Sequence, residues 1–187
     1  MLYGLFPLEL NGDEERPQDD DVTPTHDETD RDEPVDDVAE GYQFDQEFAE
    51  NETLRQINDI RQERGLDPLE PNEALRVASR EHSRDMLERS YFSHESPDGT
   101  TPHERIMVYD SSCRATGENL FLTYWDRPLE GDERIESNEQ LAEALVEGWM
   151  DSEGHRENIL RDMWSSSGVG IVISEDGEVY ATHKFCG

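Results

Sequence analysis

Three short stretches carry residue types that can do chemistry together. The first is Tyr91-Phe92-Ser93-His94 and the second Gly117-Glu118-Asn119-Leu120. The third runs Gly148-Trp149-Met150-Asp151-Ser152-Glu153-Gly154-His155-Arg156-Glu157-Asn158-Ile159-Leu160. They supply two imidazoles, His94 and His155, and a carboxylate, Glu118. Neutral imidazoles with a carboxylate suit zinc or a similar divalent ion, and an ion with an open position can activate water. Without metal, a histidine near a glutamate can act as a base. Each residue also has a plain structural alternative. His94 can lock the turn before Ser96, Glu118 can hold backbone N–H groups, and His155 can be an ordinary first-turn helix residue. Asn119 and Asn158 either orient the site or clamp backbone. Ser93 and Ser165-Ser166-Ser167 lack the strand-to-helix glycine elbow of a hydrolase, so no nucleophile is assigned.

The elements that must position these residues are legible from caps and periodicity. Phe44, Phe48, Leu54, Ile57 and Ile60 fall at helical spacing, and Gly65 is placed to end that helix. Leu66-Asp67-Pro68-Leu69 reads as an extended link. Asn72 caps a second helix that runs to about Arg89, with Leu75, Ala78, His82, Met86 and Leu87 facing inward. His82 reads as a hydrogen-bonded core histidine without chemistry. Tyr91 and Phe92 read as aromatics that want burial. Thr101-Pro102 opens a short helix ending near Tyr109, and Thr116 to Leu122 reads as a strand. Trp125 to Glu136 reads as a charged, irregular surface loop. Ser137 and Gln140 form a capping box, and Leu141, Leu145 and Trp149 share the face of the helix it opens. Val169 to Ser174 and Val179 to Phe185 form a hairpin across Glu175-Asp176-Gly177-Glu178. Trp149, Trp164 and Tyr180 read as core. Helices first and strands late give an α+β fold.

Composition limits the partners. The chain has 187 residues and 16 Lys+Arg against 47 Asp+Glu, a formal net charge of -31. Such a surface repels nucleic acid and anionic lipid. The one lysine is Lys184; the other cations are arginine. Acid excess extends through Glu130 to Glu147 and Asp151 to Glu157, which points to a halophile, where salt screens self-repulsion. Residues 1–43 form the N-terminal segment and 44–187 the folded domain. From Asn11 to Gly41 the chain is acidic, has three prolines and carries few apolar residues, so it is expected to be disordered. Met1 to Leu10 is apolar, lacks a basic n-region and is too short to span a bilayer. It is either the stub of a leader or anchor or an amphipathic terminus, and membrane contact is expected only with a preceding leader or anchor. Cys113 and Cys186 are either two buried thiols or one disulfide. The penultimate position of Cys186 favours the disulfide, which would tie down the chain end and implies an oxidising compartment.

In this order, Tyr91-Phe92-Ser93-His94, Ser96-Pro97-Asp98-Gly99, Gly117-Glu118-Asn119-Leu120, Gly148-Trp149-Met150, Gly154 to Leu160 and Gly168-Val169-Gly170 resemble the CAP superfamily. That superfamily takes in cysteine-rich secretory proteins, venom allergens and plant pathogenesis-related proteins; the prokaryotic branch is the nearest in character. The resemblance covers about Phe44 to Gly187. It implies a three-layer α-β-α sandwich with a small, mainly antiparallel sheet. It also implies a secreted or surface-exposed protein with a cleft of two histidines and two acids that in some relatives holds zinc. Carried over, these are His94, His155 and Glu118. The second acid of the eukaryotic pattern falls on Ser152, flanked by Asp151 and Glu153, either of which can substitute. The expected function is a non-enzymatic module whose cleft (His94, Glu118, His155, Asn119, Glu153) binds a small ligand, lipid, glycan or protein. The alternative is a metal-dependent, peptidase-like hydrolase using the same cleft.

Overall fold

A computed structural model describes residues 43–127 and 134–187. The expected acidic N-terminal segment and the middle of the 125–136 stretch lie outside the described residues. In chain order the elements are α1 (Gln46–Glu63), β1 (Glu70–Pro71), α2 (Glu73–Glu88), α3 (Pro102–Tyr109) and β2 (Thr116–Tyr124). They continue with α4 (Asn138–Asp151), α5 (Glu153–Ile159), β3 (Ser166–Ile173) and β4 (Glu178–Cys186). Local chemistry sets the helix starts. Asp45, Asn72, Thr101 and Ser137 each accept from the backbone N–H three residues on, and Thr101/Glu104 and Ser137/Gln140 are reciprocal capping boxes.

The strand order is β1-β3-β4-β2, antiparallel except for the β1–β3 pair. Alternation along the strands divides the side chains between two layers. Val169, Ile171, Val179, Ala181 and Phe185 pack with α1, α4 and α5 around the fully buried Trp149. Leu120 and Tyr180 face the other way, toward Met86 of α2. The result is the expected α-β-α arrangement, with α2 and α3 on one face.

Helix α2 lies directly on the strand backbone of β3. A Cβ at Gly168 would fall 2.2 Å from Arg76 N, and one at Gly170 would fall 2.1 Å from Arg80 N. Ser79 and Ser83 use this closeness, donating to the carbonyls of Gly168 and Gly170 at 2.9 and 3.0 Å. Beyond the two-residue β1, the outer edge of β3 is closed by α1. Ile171 N–H donates to buried Glu50, and Gln46 donates to Ile171 O. Burial raises the Glu50 carboxyl, against the opposing pull of Arg80, which grips both its oxygens.

Cys113 and Cys186 form a disulfide. It joins the residues before β2 to the end of β4 and closes a loop with a separation of 73 residues. In the chain-entropy model a loop of that size stabilises by about 4 kcal/mol. Around it, Ala115 and Gly187 exchange backbone hydrogen bonds, so the chain end is fixed.

Three expectations are corrected. Trp125 and Ile135 do not belong to an exposed loop. Both are buried and joined by an isolated bridge, because the aromatic ring at the end of β2 finds Phe44 at 5.9 Å. Phe92 is 47% exposed, and Phe48 of α1 is 43% exposed despite its helical spacing. Residues 66–69 connect α1 to the two-residue β1, a strand the sequence did not reveal.

Candidate functional site

Strand β2 is an edge strand, and its first half carries the buried glutamate of a His/Glu cluster. Alternation turns Glu118 toward α2 and α3 and Asn119 toward α5. On the first side, the turn after α2 brings His94 over Glu118, with Nδ1 2.9 Å from Oε1. That turn is held by Arg105 of α3, which donates to His94 O, Thr100 O and Ser96 Oγ. On the second side, fully buried Asn119 donates to His155 O at 3.0 Å and accepts from Asn158, which also donates to Glu118 O at 3.2 Å. Asn119 and Asn158 are therefore backbone clamps that fix α5, and with it His155, against the strand.

Glu118 is the electrostatic centre. Only 2% of its side chain is exposed. Its Oε2 accepts from Lys184, with Arg105 at 3.4 Å, while His82 lies 3.8 Å from Oε1. Burial by itself would raise this carboxyl. The His94 bond and the nearby Lys184 and His82 charges more than offset that and hold it at about 2. Burial in turn lowers Lys184 to about 8, against the pull of Glu118. His82 Nε2 donates to Ser93 O at 3.1 Å, as expected of a core histidine, and burial takes it down to about 4. His155 is held below its usual value, first by burial and then by the charge of neighbouring His94. Its Nδ1 is buried without a hydrogen-bond partner.

Two residues of this cluster were missed in the sequence. Lys184 lies 66 residues from Glu118, and only the β2–β4 register brings it opposite. Arg105 sits in the short helix Pro102–Tyr109 and nothing in the sequence singled it out. Asp151 and Glu153 are exposed at the α4–α5 junction. Among the described residues, only Asp110, Cys113 and Cys186 place three ligand atoms within 4.8 Å of one another, and those sulfurs are bonded to each other. His94, Glu118 and His155 therefore do not form a closed three-ligand cage. Glu118 accepts from Nδ1 of His94, the position that outer carboxylates take behind metal-bound histidines, and Nδ1 of His155 has no hydrogen-bond partner.

The model of the cysteine-rich secretory protein (CAP) family matches residues 54–186. The chain belongs to this family. A CAP relative from Bacillus subtilis (strain 168), the uncharacterized protein YkwD, is 33% identical over 138 residues, 74% of this chain and 47% of that protein. An extracellular protein of Bacillus anthracis containing an SCP domain superposes with a TM-score of 0.59 at 24% identity, covering 75% of this chain and 41% of that one. NaASP2, whose crystal structure contains Zn2+, superposes with a TM-score of 0.53 at 12% identity, covering 74% of this chain and 79% of that one. The chain thus spans less than half the length of both Bacillus proteins. No helix among the described residues is long and apolar enough to cross a membrane.

A further titratable group lies in the core of the CAP domain. His183 of β4 is fully buried between Trp149 and Phe185, with neither ring nitrogen hydrogen-bonded, and burial lowers it to about 3. Its folded value lies below the ordinary 6.5, so between pH 6.5 and about 3 the unfolded chain binds the extra proton and stability is lost as the pH is lowered. The expected slope from this group is about 1.4 kcal/mol per pH unit. Unfolding free energies of wild type and His183→Leu, from urea titrations between pH 7 and pH 4, should diverge by about 1.4 kcal/mol for each pH unit below 6.5. Parallel curves would show that the ring finds a partner.

Proposed function

We propose that this CAP domain acts outside the cell or at its surface as a binding module, and that its cleft takes a divalent ion, zinc first, through His94 and His155. The observation that carries this reading is the His94–Glu118 bond. A carboxylate only accepts, so Nδ1 carries the proton and Nε2 of the neutral ring is left with a lone pair. The orphaned His155 nitrogen and the zinc in NaASP2 support it. When bound, the ion would offer open coordination positions to a ligand. A small molecule, a glycan, a lipid headgroup or a protein side chain are the candidate occupants. The hydrolase reading is disfavoured on one point: both Glu118 oxygens are engaged and its carboxyl sits at about 2, which makes it a weak general base near neutrality.

Calorimetry with zinc tests the reading. One-to-one saturable binding is expected in wild type and not in His94→Ala or His155→Ala, without turnover on a broad substrate panel. Wild type that takes up no zinc would overturn the metal reading, and turnover would restore the hydrolase. The net charge of -31 supports a second proposal, a halophilic setting in which salt screens the surface. Thermal midpoints by circular dichroism should rise by several degrees between dilute buffer and molar salt. Equal midpoints would remove it.

A further inference from the structure

The only lysine of the chain is fully buried. Lys184 stands directly opposite Glu118 in β2 and opposite Gly168 in β3, in the central strand of the site. Its ammonium donates to Glu118 Oε2, and the other oxygen, Oε1, accepts from His94 Nδ1 at 2.9 Å. One carboxylate is thus divided between a buried cation and the cleft histidine. The second buried glutamate shows what an arginine does in such a place. Arg80 grips both Glu50 oxygens, Nε to Oε1 at 2.8 Å and Nη2 to Oε2 at 2.6 Å. A guanidinium is a planar fork matched to both oxygens of a carboxylate, whereas an ammonium is a compact point donor. Arg105, the other cation beside Glu118, stays 3.4 Å from Oε2 and directs its closer bonds to the 94–100 turn.

We propose that Lys184 is the positioning residue of the cleft: by holding Glu118 through one oxygen, it leaves the other to fix the Nδ1–H tautomer of His94 and so presents the Nε2 lone pair to a ligand. The inference rests on the reading of the cleft as a ligand site. It explains why the single lysine occurs here, in a chain that otherwise uses arginine. An arginine in its place would compete with His94 for Oε1.

Nitrogen-15 NMR of histidine-labelled, metal-free protein at mildly alkaline pH reads the tautomer directly. Wild type is expected to show His94 protonated at Nδ1. In Lys184→Arg the signal should move toward the Nε2–H form, and zinc affinity should fall about 10–100-fold, the usual effect of losing a group behind a ligand, with the circular dichroism spectrum unchanged. Lys184→Met keeps the length without the donor, leaves Glu118 with His94 and Arg105, and carries the test if the arginine variant does not fold. It should give mixed tautomers and the same loss of affinity. A lowered melting temperature with the wild-type tautomer and affinity intact would mean a merely structural lysine and overturn the proposal, as would an Nε2–H His94 in wild type. Wild type with the Nδ1–H tautomer but no zinc uptake would support the positioning role while the metal reading falls, so the two failures are distinguishable.

Discussion

Glu118→Ala should cost about 3–5 kcal/mol of stability, the usual result of removing one partner from a buried ion pair. Lys184 has no exposed surface, and Glu118 is the anion it meets. With the carboxylate gone, the ammonium must stay charged in the core, lose its proton, or pull the strand pair open. Arg105 and His82 lose the same neighbour, and the His94 turn loses its anchor. Urea unfolding monitored by tryptophan fluorescence reads the effect as a fall in midpoint at unchanged slope. The double variant Glu118→Ala/Lys184→Met should recover much of the loss, because it leaves no unpaired charge. A single variant within about 1 kcal/mol of wild type would mean that water reaches Lys184 and that the pair behaves like an exposed one.

Gly170→Val should leave no folded protein, or at least remove more than about 3 kcal/mol, by overpacking a backbone contact. The new Cβ alone would lie 2.1 Å from Arg80 N and 2.4 Å from Ser79 C. These are helix backbone atoms, so no rotamer change relieves the clash. Helix α2 would have to lift away, breaking the Ser79 and Ser83 bonds to β3 and the Ser83–Thr182 bond to β4. The same helix carries His82 and delivers the chain to His94, so the cleft would be lost with it. Gly154→Ala is the control. Nothing lies within 4 Å of a Cβ there, and its place in α5 favours a change between neutral and about 1 kcal/mol stabilising. Circular dichroism melts of the two variants check the pair. A well-folded Gly170→Val with a normal melt would show that α2 does not need the glycine seam.

The sequence by itself determined what is settled within a few residues. The caps at Asn72, Thr101 and Ser137 are side chains bonding three positions ahead, and the structure has all three. The hairpin of β3 and β4 follows from two apolar runs around Gly177, whose positive φ suits glycine. The order of motifs identified the family and, through it, His94 and Glu118 as neighbours. Tertiary structure decided the rest, because strand register and layer assignment depend on where distant faces find room. Strand β1 is two residues long and exists only because Ser166 and Ser167 lie beside it. Phe92 looked like core, yet its turn is pinned by Arg105, and its ring stays half in solvent. Lys184 stood out in the sequence only as the one lysine, and it took the β2–β4 pairing to set it opposite Glu118. Hydrogen bonds between neighbours in sequence are written in local residue types; a buried charge pair is fixed only when the whole sheet closes around it.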